Sequence, residues 1–160
     1  MRQVVTGVAI AVAAALGASG ASALASRSSH GSGHHGGRTF TLVEHPDSDV
    51  TIDVKGDGDS AGDLLPFANP LYDAQDAQQV GTDQGNCIRT KAGVSWECSW
   101  TNMLKGGSIV VQGPYLDSGA PTTLAITGGT GAYAGARGTM VLRPNAKDPA
   151  KFDFVFHVIR

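Results

Sequence analysis

Glu44, Asn69 and Asp83 stand out because each falls on the apolar side of an alternating pattern. From Arg38 onward the sequence alternates with period 2, and Glu44 follows Phe40 and Leu42 on one face of a first strand. Asn69 follows Leu65 and Phe67 in the same way, and Asp83 shares a face with Cys87. A carboxylate turned inside a closed sheet is costly unless it is paired or neutralised. Its pKa rises by desolvation unless a cation is near, and perturbed acids cluster at functional sites. Parity alone leaves Glu44 two readings: a functional acid, or a satisfied structural carboxylate at a barrel mouth. No Ser-His-Asp spacing, metal cluster or phosphate loop accompanies these residues. "GGTGAYAG" at 128–135 opens no helix and lacks a following Lys-Ser or Lys-Thr. His157 has outward parity between Phe156 and Val158 and reads as a surface strand histidine.

The elements that must carry these residues are all strands. Val50, Ile52 and Val54 share a short apolar face, and "GDG" at 56–58 marks a turn. Leu65, Phe67, Asn69 and Leu71 alternate with Pro66 and Pro70 between them; two missing ladder donors predict an edge, bulged or irregular strand. Residues 79–90 and 94–103 read as a hairpin around Lys91-Ala92-Gly93, with Val94, Trp96, Cys98 and Trp100 on one side. A turn centred on Ala92-Gly93 sets Cys87 opposite Cys98, Gly85 opposite Trp100 and Asp83 opposite Asn102. Directly opposed residues lie about 4.5–5.5 Å apart, within disulfide reach. The pair is therefore a bridge, or else two buried free thiols; the register, fixed by the turn and not by the cysteines, favours the bridge.

Further strands are predicted at 108–115, 122–127, 136–143 and 152–159, the last placing Phe152, Phe154, Phe156 and Val158 on one face. No amphipathic helix is expected after residue 26. About eight short strands joined by tight turns close into an antiparallel barrel or stack as a sandwich. Eight strands in a barrel leave room for side chains or one small ligand. In the glycine-rich link at 126–140, Gly128 and Gly129 are expected to permit a turn with positive φ. Gly135 and Gly138 are expected to clear space for a bend or a bulky neighbour.

The first residues follow a different logic. Arg2, an apolar run from Val4 to Ala18 and A-x-A sites ending at Ala23 and Ala25 have the layout of a secretory signal peptide. The run is shorter than the ~20 residues a membrane-spanning helix needs, so no stable membrane insertion is expected after cleavage. The expected organisation is a signal peptide at 1–25, a flexible Gly/Ser/His-rich tail at 26–37 and one domain at 38–160. His30, His34 and His35 belong to that tail, and no metal site is assigned. Net charge is −2 with no basic patch, which argues against a nucleic-acid partner. Export also favours oxidation of Cys87 and Cys98.

Three stretches, "GDLLPFANPLYD" (62–73), "VGTDQGNC" (80–87) and "VVQGPYLDSGAPTTLAITGGTGAYAGARG" (110–138), together resemble the allene oxide cyclase family and the related dirigent proteins. The resemblance implies an all-β fold, an eight-stranded antiparallel closed β-barrel, commonly a homotrimer. It implies an isomerase without a cofactor, in which an apolar pocket bends a small hydrophobic, lipid- or polyene-like molecule for stereoselective cyclisation. Glu44 resembles the catalytic glutamate and Asn69 a water-holding asparagine. Cys87 matches a cysteine near the pocket, and Phe67 and Trp100 are taken as further substrate-contacting residues. Two alternatives stand beside the cyclase: dirigent-like guidance of radicals made by another enzyme, and a secreted binding or structural barrel filled by its own Trp96, Trp100 and phenylalanine side chains.

Overall fold

The period-2 segments resolve into eight strands in a computed structural model that describes residues 37–159. They are β1 (Arg38–Glu44), β2 (Leu64–Tyr72), β3 (Gln79–Lys91), β4 (Ser95–Leu104), β5 (Gly107–Leu116), β6 (Thr122–Gly129), β7 (Arg137–Pro144) and β8 (Phe152–Ile159). Each pairs antiparallel with the next and β8 closes on β1, giving a closed barrel with chain-order neighbours. One 3-10 turn, Gly131–Tyr133, lies between β6 and β7. The expected signal peptide, and the tail through residue 36, lie outside the described residues.

The hairpin between β3 and β4 has the register set by its turn: Cys87 faces Cys98, Gly85 faces Trp100 and Asp83 faces Asn102. The two cysteines form a disulfide with Cα atoms 4.0 Å apart. Gly85 is required by this pairing, because a Cβ there would run into Trp100. Val94, expected at the head of the inward face, lies before β4 and is exposed.

β2 explains its own prolines. Its partner β3 runs alongside from Leu64 to Tyr72, whereas β1 pairs with it only at Val43–Tyr72 and Glu44–Leu71. The open side is closed by the β1–β2 loop instead. Ser48 Oγ donates to the Ala68 carbonyl at 2.7 Å and accepts from the Ala68 N–H at 2.8 Å. The nitrogens of Pro66 and Pro70, two residues either side, point the same way as that of Ala68. The missing N–H groups thus cost no ladder bond, and β2 is an edge on one side only. Val50, Ile52 and Val54 do not form a strand. They are exposed, and only Ile52 makes a two-bond bridge, to Leu64. Their alternation belongs to a loop laid along the barrel rim.

The glycine-rich link differs from expectation in detail. Gly128 and Gly129 lie at the end of β6 without positive φ; the left-handed positions are Gly131, Gly135 and Gly138. Gly138 combines a φ of +119° with a backbone so close to the His157 carbonyl that a Cβ would collide with it.

Inside, Leu71, Ile109, Leu124, Met140 and Phe156 are fully buried and fill one end of the barrel. Each such side chain contributes roughly 1.5–3 kcal/mol through burial. The other end, where β1 and β3 finish and β2, β4 and β8 begin, is incompletely filled.

Candidate functional site

The unfilled end holds a pocket of about 90 Å³ that opens to solvent. Its walls are mostly aromatic and aliphatic: Phe67 from β2, Trp100 from β4, Tyr115 from β5, Leu142 from β7, and Phe152 and Phe154 from β8. Phe67 meets Trp100 edge-on at 5.8 Å between ring centroids, Tyr115 meets Phe152 edge-on at 6.0 Å, and Phe154 lies 5.5 Å from Trp100. These contacts pack the rings against one another along the lining. The Cys87–Cys98 bridge and Leu65 complete the wall. Cys87 therefore reaches the pocket as half of a disulfide and offers no thiol.

Two carboxylates break this apolar lining, Glu44 at the end of β1 and Asp49 from the β1–β2 loop. Glu44 is 6% exposed and has no ion-pair partner among the described residues. Asn69 ties both acids together, its Nδ2 donating to Glu44 Oε1 at 2.9 Å and to Asp49 Oδ1 at 2.7 Å. Its Oδ1 accepts from the Ser48 N–H and hydroxyl, each at 3.0 Å, and its own N–H donates to Asp83 Oδ1 at 3.1 Å. Asn69 does not itself line the pocket; it holds the acids that do.

Burial raises the Glu44 carboxyl well above the usual range, and the neighbouring charges of Asp83 and Asp49 add to this. Burial also pushes Asp83 up to about 6, with a hydrogen bond from Glu44 pulling the other way. Asp83 is fully buried and its Oδ2 has no donor among the conventional hydrogen bonds. The two carboxyls titrate as a pair in which burial favours retaining a proton. A neutral acid at the inner end of a desolvated pocket can donate that proton, and the anion it leaves behind can face a developing positive charge.

The rim is braced separately. Arg89 lies 3.8 Å above the Trp96 ring, with ion pairs to Asp117 and to Asp59, the latter at 2.6 Å. Trp96 Nε1 donates to Asp117 at 3.0 Å. Asp59 belongs to the same β1–β2 loop that supplies Asp49, so this clamp pins the loop from its far side.

Of the residues singled out by sequence, Glu44, Phe67, Cys87 and Trp100 meet at one pocket, with Asn69 directly behind Glu44. Ser48 and Asp49 were not anticipated, because their roles depend on a loop folding back onto Asn69 of β2. Tyr115 and Phe152 were placed in strands but not assigned to the site. Asp83 carried a signal in its inward parity.

A closed antiparallel barrel with one apolar, acid-tipped pocket is a defined class of protein. The sequence profile of the allene oxide cyclase family matches residues 44–158, and the chain belongs to that family. Among solved structures it is similar to a pyocyanin demethylase at 31% identity and a TM-score of 0.64, covering 74% of this chain and 100% of that one. It also resembles the pterocarpan synthase dirigent protein PsPTS1, at 17% identity and a TM-score of 0.65, over 78% of this chain and 96% of that one. The Diels-Alderase AbmU from Streptomyces koyangensis aligns at 19% identity and a TM-score of 0.61, over 78% of this chain and 63% of that one. The last two likenesses concern the fold.

Proposed function

We propose that this barrel binds the reacting end of a small, flat, conjugated apolar molecule and promotes its stereoselective cyclising isomerisation, with Glu44 as proton donor and acceptor. The observation that carries the reading is a buried glutamate at an aromatic pocket, held by the Asn69 amide and with no ion-pair partner among the described residues. Glu44 gives its proton to a substrate heteroatom, and the resulting cation delocalises along the conjugated system. The Glu44 carboxylate stabilises that cation while the rings restrict the chain to one folded geometry. Ring closure and loss of a proton back to Glu44 complete the cycle, so atoms and charge balance with no added cofactor. Restraint of this kind supplies several kcal/mol of the barrier.

The enclosed volume of about 90 Å³ is below the ~300–1,000 Å³ of common ligand pockets. Only the reacting end is enclosed, and the remainder lies in the mouth. The likeness to a pyocyanin demethylase supports a small-molecule ligand. The reading includes export, which the disulfide favours, and a homotrimer as in the family. The test is turnover of an allene oxide or conjugated polyene epoxide by wild type and Glu44→Gln. A loss of about 10²–10⁴-fold is expected; equal rates would remove Glu44 from the reaction, and absence of turnover by wild type, with altered product stereochemistry when an oxidase is added, would favour dirigent-like guidance.

A further inference from the structure

We propose that Asp83 is a positioning residue for Glu44: its buried, unpartnered oxygen takes the Glu44 hydroxyl as hydrogen-bond donor, which holds Glu44 in the acid form that meets the substrate. This rests on the proposed function, in which Glu44 is the proton donor, and adds the residue that keeps it one.

Asp83 carries a buried acceptor without a donor. It lies on β3 directly opposite Asn69 of β2 and Asn102 of β4, and it is fully buried. Its Oδ1 accepts the Asn69 backbone N–H at 3.1 Å. Its Oδ2 meets no conventional donor among the described residues. The neighbouring amides are committed elsewhere. That of Asn69 donates to Glu44 and to Asp49. That of Asn102 donates to the Ile109 carbonyl at 3.2 Å, and its oxygen accepts from Trp100 Nε1 at 3.3 Å. Neither Asp83 nor Glu44 forms an ion pair among the described residues. A buried carboxylate oxygen left bare is strongly disfavoured. The Glu44 carboxyl is within hydrogen-bond reach of Asp83, and a carboxyl donates only when protonated.

The contacts also distinguish the two Glu44 oxygens. Oε1 accepts from the Asn69 amide, which leaves Oε2 to carry the hydrogen. Directed at Asp83 Oδ2, that hydroxyl makes a carboxyl–carboxylate bond, one of the stronger, charge-assisted types. Asp83 is not part of the pocket lining, so it acts through Glu44 and not on the guest. A heteroatom of the guest takes the same hydrogen by rotation about the Glu44 C–O bond. Transfer leaves Glu44 as a carboxylate beside the Asp83 carboxylate. Their repulsion favours return of a proton from the closed ring to Glu44, and Asp83 ends the cycle as it began, ionised and accepting.

The other groups around Glu44 act in the same direction. Asp49 faces it from the β1–β2 loop and Tyr115 from β5, while β8 contributes the rings of Phe152 and Phe154 to the shared lining. Arg89, toward the rim, is held by Asp117 and Asp59. Burial first, and then the charges of Asp83 and Asp49, favour the proton on Glu44.

The experiment compares full-chain wild type, Asp83→Asn and Glu44→Gln by two readouts. Infrared spectra across a pH series report the carboxylic-acid C=O stretch with no substrate present. Wild type should show a band, absent in Glu44→Gln, that persists above the pH at which an exposed glutamate ionises and has the frequency of a strongly hydrogen-bonded acid. In Asp83→Asn the new amide donates to the Glu44 carboxylate, so the band should vanish about one pH unit or more earlier. Turnover of a conjugated polyene epoxide should follow. The alkaline limb of kcat moves toward acid by the same amount, with near wild-type kcat recovered at low pH and KM changed by less than about twofold. A loss of turnover spread evenly over pH is what a merely structural residue gives, and it would overturn the proposal. So would a band that Asp83→Asn leaves in place, because another donor, a buried water included, then serves Oδ2. Should Asp83→Asn not fold, the wild-type band decides: a free-hydroxyl frequency, or loss at the pH of an ordinary glutamate, overturns the pairing. The infrared shift without wild-type turnover upholds the pairing and counts against the proposed function instead.

Discussion

The side-chain amide of Asn69 donates to Glu44 at 2.9 Å from one strand to the next, and the same nitrogen reaches Asp49 in the rim loop at 2.7 Å. One buried amide therefore couples the acid at the tip of the pocket to the loop that borders its mouth. Asn69→Ala strips partners from Glu44, Asp49 and Ser48 at once, while the backbone N–H that reaches Asp83 stays. The expected cost is about 2–3 kcal/mol, since each buried polar group left unpaired costs about 1–3 kcal/mol and water recovers part of it. Urea denaturation measures the loss. Hydrogen exchange should localise it, with the Ser48 amide exchanging faster than in wild type.

Stability should fall as pH rises through the weakly acidic range. Glu44 and Asp83 bind their protons more tightly folded than unfolded, so their contribution is complete below about pH 4, the unfolded carboxylate value. It is lost as pH rises through about 6 for Asp83 and through the raised value of Glu44. Asp53 and Asp76 act oppositely. Backbone N–H groups, that of Gly58 foremost, hold Asp53 down, and Lys151 and His45 hold Asp76 down, so their contribution is lost only at acid pH below that range. Unfolding free energies at pH 4.5, 6 and 7.5 should decline in wild type and decline less in Glu44→Gln. A slope unchanged by the substitution would mean that Glu44 does not hold the proton.

Replacing both Cys87 and Cys98 with alanine should cost about 2–4 kcal/mol, because the bridge closes a loop across a sequence separation of 11 in the unfolded chain. Denaturation with and without reductant provides the same comparison on the wild-type protein. Both sulfurs border the pocket, so ligand affinity should change alongside stability.

Glycines in the β6–β7 region should respond unequally. Gly138→Ala puts a Cβ against the His157 carbonyl at a φ of +119° and should destabilise by more than about 2 kcal/mol. Gly128→Ala meets open space at an ordinary φ and should change stability by less than about 1 kcal/mol. Thermal melts of the two variants side by side decide this.

What could be read in advance depended on range. The β3–β4 register follows from one local turn, so the pairing of Cys87 with Cys98 was legible before any coordinates. The inward parity of Glu44, Asn69 and Asp83 was legible because strand alternation is itself local. Ser48 and Asp49 were not, since their roles depend on a loop folding back onto a strand some twenty residues away. Val50, Ile52 and Val54 mimic a strand in pattern, but the β2 edge offers them only the Ile52–Leu64 bridge. The pocket's small size depends on how Trp100, Phe152 and Phe154 pack together, which no alternation rule contains.

The shallow enclosure has a consequence for selection. A container that closes over one terminus reads that terminus and leaves whatever trails behind it in water. Molecules sharing a common head but differing in tail should enter with similar ease, and departing products need no large doorway to swing open. Under the proposed function, discrimination resides in a few ångströms of chemistry around Glu44, with little contribution from the overall outline of the guest.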